Sequence, residues 1–195
     1  MTKEQVKVFR EPFNKKKEDN CMNLRLSPGS YRWGSPTPNC LTQLSWSEAF
    51  HIPMTDICNT GSTNIDNCNP QVSNLCDFLT ILYQDQVGGL QLVKDGKWIS
   101  VKPNPEALIV NIGDLFQAWS NGVYNSVVHR VVANPRLERF STAYFLCPSG
   151  DAIIQSFKEP SIYRKFSFGE YRQQVQQDVK EYGYKIGLSR FLICN

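Results

Sequence analysis

From Asp77 to Cys147 the chain divides into short apolar runs separated by turn signals, and this spacing constrains the fold more than any other feature. Phe78–Tyr83 (FLTILY), Gly89–Val93 (GLQLV), Lys97–Lys102 (KWISVK), Ala107–Ile112 (ALIVNI), Val127–Val132 and Phe140–Cys147 have the length and composition of strands. Asp95–Gly96 lies between the second and third runs, and both residues tolerate the positive φ of a type I′ turn, so a hairpin is expected there. Pro103 and Pro105 end the third run, Gly113–Asp114 end the fourth, and Leu115–Ser120 reads as a short turn or helix. At least six short strands with a turn about every 8–12 residues predict a mainly β sandwich or barrel.

The flanks read differently. Ser167 and Glu170 form a capping box, in which hydroxyl and carboxylate satisfy the free N–H groups of a first helical turn. Phe168, Tyr171, Val175 and Val179 follow at spacings of three and four, predicting a helix over Phe168–Glu181 with one apolar stripe packed on the outside of the sheet. At the other end, Lys3–Phe13 is expected as a short helix ended by Pro12, and Ser27–Asn39 as a turn-rich strip anchored by Tyr31 and Trp33. Leu44–Ile57 reads as a strand or bent edge segment, since Pro53 excludes a central strand. His51 in that segment is expected to be structural or superficial. Cys58–Cys76 is rich in Asn, Ser and Thr and has almost no apolar periodicity.

Composition excludes several classes of function. A chain of 195 residues holds one core, and 41% hydrophobic with 20% charged residues fits a soluble globular protein. A net charge of +3 without a basic, aromatic-interleaved cluster argues against nucleic acid. Lys15, Lys16 and Lys17 are followed by Glu18 and Asp19, which reads as a solvated surface segment. No apolar run approaches the roughly 20 residues of a membrane span, and the first residues lack a secretory apolar region. A cytoplasmic monomer without a membrane partner is the expectation. Seven cysteines without CxxC spacing read as free or incidental thiols, not as a metal cluster.

Ser126–Ser141 (SVVHRVVANPRLERFS) carries the chemistry. His129 lies in one apolar strand, and Arg139 with Ser141 leads the next. An imidazole is a potential metal ligand. A guanidinium fork offers a carboxylate two charge-assisted bonds, and a serine hydroxyl adds a third. The pattern suggests a small-molecule site inside a β-scaffold.

Several stretches are similar to one family. QDQVGGLQL (Gln84–Leu92), KWISVKPNPEALIVNIGDLFQAWSNGVYNSVVHRVV (Lys97–Val132) and RFSTAYFLCP (Arg139–Pro148) resemble plant 2-oxoglutarate/Fe(II)-dependent dioxygenases. The nearest likeness is to gibberellin 2-beta-dioxygenases of the C20-gibberellin type. SYRWGSPT (Ser30–Thr37), LSWSEAFHIP (Leu44–Pro53) and FGEYRQQVQQDVK (Phe168–Lys180) resemble the same group. The resemblance implies a double-stranded β-helix, or jelly roll, with flanking helices. It also implies Fe(II) and 2-oxoglutarate as cofactors, ascorbate as reductant, and a gibberellin-like apolar acid as the small-molecule substrate. His129 matches the distal iron ligand, and Arg139 and Ser141 match the Arg-x-Ser motif that holds the distal carboxylate of 2-oxoglutarate. No residue is assigned a catalytic acid or base role.

This chain departs from the family at its His-x-Asp metal motif, where Ser73 and Leu75 stand instead. Asp77 and His51 are poor substitutes, because metal sites tolerate little displacement of a ligand. By the resemblance, a long helical segment and an Asn-x-Tyr-Pro-Pro strand of the family are expected to lack a counterpart between Ile57 and Asp77, as is the part that precedes the family's lysine-rich segment. The resemblance therefore divides the chain into a partial N-terminal region (1–57), an unpatterned seam (58–76), the C-terminal part of a jelly-roll core (77–150) and a helical extension (151–195). An incomplete jelly roll would expose apolar sheet surface. The expectation is an impaired or inactive oxidoreductase; the alternative is a non-catalytic remnant that binds a dicarboxylate or a protein partner.

Overall fold

A computed structural model describes residues 3–17, 29–34, 47–52 and 78–193. The chain forms two compact units, 1–74 and 75–195.

In the first unit, α1 (Lys3–Arg10) stops before Pro12, and Phe13 opens a separate short helix, α2 (Phe13–Lys16), so the single helix expected over Lys3–Phe13 is broken in two. Proline lacks an N–H and disfavours helical geometry in the residue before it, which accounts for the break. Strands β1 (Tyr31–Trp33) and β2 (Glu48–Phe50) pair antiparallel, Tyr31 facing Phe50. Tyr31 is the anchor expected of it, with ring centroids 5.2 Å from Phe50 and 5.8 Å from Phe13. Trp33, 49% exposed, is not buried as an anchor. Lys16 also departs from the solvated reading. It is buried, and its ammonium donates to the Phe9 carbonyl at 3.0 Å and pairs with Glu48, which also accepts from the Tyr31 hydroxyl. Burial and the Glu48 carboxylate push the Tyr31 phenol above its ordinary range.

The second unit is mainly β, as the turn spacing predicts. Strands β3 (Leu79–Gln84), β4 (Leu90–Lys94), β5 (Lys97–Ser100), β6 (Ile109–Ile112), β7 (His129–Val131) and β8 (Ser141–Leu146) form two antiparallel three-stranded sheets, β6–β3–β8 and β5–β4–β7. Asp95 and Gly96 both have positive φ, 51° and 72°, and close the expected β4–β5 hairpin. Helix α3 (Asp114–Trp119) follows β6 where a short helix was open to either reading. A two-stranded pair, β9 (Ile153–Ile154) and β10 (Phe166–Ser167), leads into α4 (Phe168–Tyr182) and a 3₁₀ helix over Gly187–Phe191.

Helix α4 begins where the cap requires: Ser167 Oγ accepts from the Glu170 N–H at 3.0 Å. The Glu170 carboxylate is engaged by Arg164 at 2.6 Å rather than folding back on the cap. Phe168, Tyr171 and Val175 are buried as predicted, but Val179 is 45% exposed and Asp178 takes the inward position. Asp178 is held there by Arg190 Nη2 at 3.1 Å and Gln174 Nε2 at 2.9 Å, so an ionic group continues a stripe that begins apolar.

The core lies at this helical end, where Leu115, Ala118, Ile154, Phe166, Tyr171 and Phe191 pack together with their neighbours. The sheets are barer. All of β5, β7 and β8 is exposed, including Val131 at 52% and Tyr144 at 44%, so these strands carry apolar surface. Cys147 is disulfide-bonded, where free thiols were expected. Among the described residues no helix is long and apolar enough to cross a membrane.

Candidate functional site

The β3–β8 ladder sets Gln84 directly opposite Ser141, so their side chains rise from one face of the sheet. Arg139, two residues before Ser141, reaches the same corner. Its Nη1 donates to Ser141 Oγ at 3.0 Å, its Nη2 to Gln84 Oε1 at 3.3 Å, and its Nε to the Gly88 carbonyl at 2.5 Å. All three acceptors are neutral. Asp85 opposes the cation only at a distance, because Oδ2 accepts from the Phe140 N–H at 2.6 Å and Oδ1 from the Val87 N–H at 3.0 Å. Burial pulls the Arg139 guanidinium below its usual range, with Asp85 acting in the other direction. Arginine still stays charged at neutral pH. A half-buried guanidinium with neutral partners is a site for an anion, and its fork favours a carboxylate.

The loop that supplies the Gly88 carbonyl depends on glycine. Gly89 has φ +96°, and a Cβ there would lie 2.4 Å from the Val132 carbonyl oxygen. The Val132 N–H donates to Gly89 O at 2.8 Å, which ties this loop to the end of β7. Only a residue without a side chain permits that approach.

His129 sits on the other three-stranded sheet, opposite Leu92. The ring is exposed, and its Nδ1 lies 3.1 Å from the Val127 carbonyl oxygen. His129 borders a groove of about 500 Å³ with Thr80, Asn111, Gln117, Ser126 and Tyr163. Gln117 organises that wall, donating to the Tyr163 hydroxyl at 2.8 Å and accepting from the Ser126 N–H at 2.7 Å. The structure thus brings Arg139 and Ser141 together and places His129 on a separate sheet. Ser73, Leu75 and Asp77 lie outside the described residues, and His51 belongs to the first unit.

Gln84 and Asp85, which lie outside the Arg-x-Ser motif, complete the corner. A signal was present. Gln84 keeps the phase of Leu82 along β3, so a polar side chain occupies a buried position of that strand.

A family profile described as the 2OG-Fe(II) oxygenase superfamily matches residues 75–148. Over 98% of its length the chain is 49% identical to gibberellin 2-beta-dioxygenase 8 of Arabidopsis thaliana, covering 72% of that protein. The chain belongs to the 2OG-Fe(II) oxygenase superfamily. It is also 40% identical, over 98% of its length and 71% of the relative, to gibberellin 2-beta-dioxygenase 6 of Oryza sativa subsp. japonica. Among solved structures it resembles a dioxygenase for auxin oxidation in rice, with a TM-score of 0.52 and 32% identity over 60% of this chain and 42% of that one. The chain thus spans less than half of that solved oxygenase. Its mainly β architecture is that of the superfamily's double-stranded β-helix. The Arabidopsis alignment runs over 252 positions, more than the 195 residues present, so that relative carries residues within the matched span that have no counterpart here.

The cofactors of 2OG-Fe(II) oxygenases fit this chain unequally. The Arg139–Ser141 corner has the donor chemistry for the distal carboxylate of 2-oxoglutarate. For iron, the described residues offer the His129 imidazole. Among the described residues no three His, Cys, Asp or Glu side chains come together, and a serine and a leucine at positions 73 and 75 offer neither imidazole nor carboxylate.

Proposed function

We infer that this superfamily member descends from a gibberellin 2-beta-dioxygenase, retains the carboxylate clamp for 2-oxoglutarate, and is impaired in turnover. The observation that carries this reading is the half-buried Arg139 guanidinium, whose hydrogen-bond acceptors are all neutral and whose Nη1 is aligned by Ser141. In the reaction of the family, 2-oxoglutarate supplies two electrons as it is decarboxylated to succinate. In this chain Arg139 and Ser141 hold and orient its distal carboxylate. The substrate class by descent is an apolar acid such as a gibberellin, and the groove beside His129 is a concave surface that could receive it. One imidazole, His129, is a weak iron site, since oxygen activation needs several ligands with open positions left on the metal.

Isothermal titration of the purified chain with 2-oxoglutarate tests the clamp, and anaerobic Fe(II) titration with a succinate-release assay tests turnover. The expected result is binding of 2-oxoglutarate that Arg139→Ala abolishes, with weak Fe(II) binding and no succinate. Tight Fe(II) binding lost in His129→Ala, accompanied by succinate release, would restore the full dioxygenase reading.

A further inference from the structure

Gln84 is 2% exposed, and its Nε2 has no hydrogen-bond partner. Which end of the amide faces Arg139 follows from chemistry: a guanidinium only donates, so the amide oxygen must meet Nη2, and the nitrogen is left over. A buried amide donor left unmade is costly, and native proteins hold few of them without a reason. This one rises beside Ser141 on the same face of the β3–β8 ladder and belongs to the residue that steers Arg139.

We propose that Gln84 is a third donor of the carboxylate clamp, its amide oxygen fixing Arg139 and its amide nitrogen donating to the carboxylate of the bound ligand. The inference rests on the reading of Arg139 and Ser141 as a clamp for a dicarboxylate. It adds the element that makes the corner selective for a planar, two-oxygen anion. A guanidinium Nη, a hydroxyl and an amide N–H offer donors from both strands of the ladder.

The test titrates the wild-type chain and Gln84→Met, Gln84→Glu and Arg139→Ala variants with 2-oxoglutarate by calorimetry. In parallel, the side-chain amide resonances of Gln84 are followed by NMR, assigned by their disappearance in the Met variant. Gln84→Met, similar in shape, should weaken binding about tenfold, as expected for one hydrogen bond to a charged acceptor. Gln84→Glu keeps an acceptor for Arg139 but replaces the donor with a negative charge, and should abolish binding. On saturation of the wild type, one Gln84 amide proton should move downfield.

Undiminished affinity in Gln84→Met, with binding still lost in Arg139→Ala, would overturn the role of Gln84 and leave the clamp standing. Binding that is absent from the wild type, or indifferent to Arg139→Ala, would overturn the clamp and this inference with it. If Gln84→Met does not fold, Gln84 is assigned through its neighbours in the wild type, and an amide proton unmoved at saturation overturns the proposal.

Discussion

Removing a single oxygen from Tyr171 should measurably destabilise the second unit. The ring is fully buried, and its hydroxyl donates to Asp114 Oδ2 at 2.6 Å. The same carboxylate oxygen lies 3.3 Å from Lys185 Nζ, so one atom joins α3, α4 and the segment before the 3₁₀ helix. Gly187 packs against this junction, since a Cβ there would come within 2.9 Å of Asp114 Oδ2. Tyr171→Phe keeps the ring contacts with Phe166 and Phe191, at 6.1 and 5.7 Å, so the change isolates the hydrogen bond. A hydrogen bond to a charged acceptor contributes about 1.5–3 kcal/mol. For a unit of this size that converts to a fall in Tm of about 5–15 °C, read by thermal unfolding in circular dichroism. In an Asp114→Ala background the Phe substitution should cost less than about 0.5 kcal/mol, because the acceptor is already gone. A Tyr171→Phe variant within about 0.5 kcal/mol of wild type, or an equal cost in both backgrounds, would refute the reasoning.

Three further outcomes are expected. Asp178 is buried with Oδ2 unpartnered, while Arg190 is 38% exposed and can return to water; Asp178→Leu should therefore be neutral or stabilising in urea unfolding, and a loss above about 2 kcal/mol would contradict this. His51 has its pKa lowered by burial and by Arg32, so the folded state favours the neutral ring and the unfolded chain binds more protons below about pH 6.5. Its contribution to stability is complete above that pH and is lost as pH falls toward the lowered folded value, and His51→Gln should flatten the slope of the urea midpoint between pH 7.5 and 5.5. Restoring the metal motif by Ser73→His with Leu75→Asp should raise Fe(II) affinity at least about tenfold over wild type in anaerobic titration; no gain would mean that those positions do not stand where the family places its ligands.

The parts of the fold that could be read from sequence are those decided by neighbours a few residues apart. The Asp95–Gly96 hairpin, the six strand runs of the second unit and the Ser167 cap all depend on local backbone preference, and each is found. Where tertiary partners decide, the reading fails in a consistent way. Lys16 is buried because Glu48, 32 residues later, compensates its charge, and no local pattern announces such a partner. Asp178 displaces Val179 from the core side of α4 because Arg190 lies within reach, although hydrophobic periodicity favours the valine. For Gln84 the phase with Leu82 marks a buried polar side chain, but its partner Arg139 lies 55 residues away and only the fold reveals it.

That separation sets the proposed clamp apart from the positions where the resemblance places iron ligands. Arg139, Ser141 and Gln84 are fixed by one antiparallel pairing, six residues in register from Leu79↔Leu146 to Gln84↔Ser141. The ladder is extended by the Asp85–Phe140 bonds: the Asp85 N–H donates to the Phe140 carbonyl at 3.1 Å, and the Phe140 N–H donates to Asp85 Oδ2. Backbone hydrogen bonds determine the register, and register determines which side chains share a face, so this corner needs no metal for its assembly. An iron site of the family's type has a different requirement. His129 is on the β5–β4–β7 sheet, and its co-ligands would have to come from positions 73 and 75, before β3 begins. Positions 73 and 75 lie outside the β3–β8 ladder, so a substitution there leaves its pairing of 79–84 with 141–146 in place. On the proposed reading, dicarboxylate binding and iron binding are separable, and Arg139→Ala should abolish the first without changing the second.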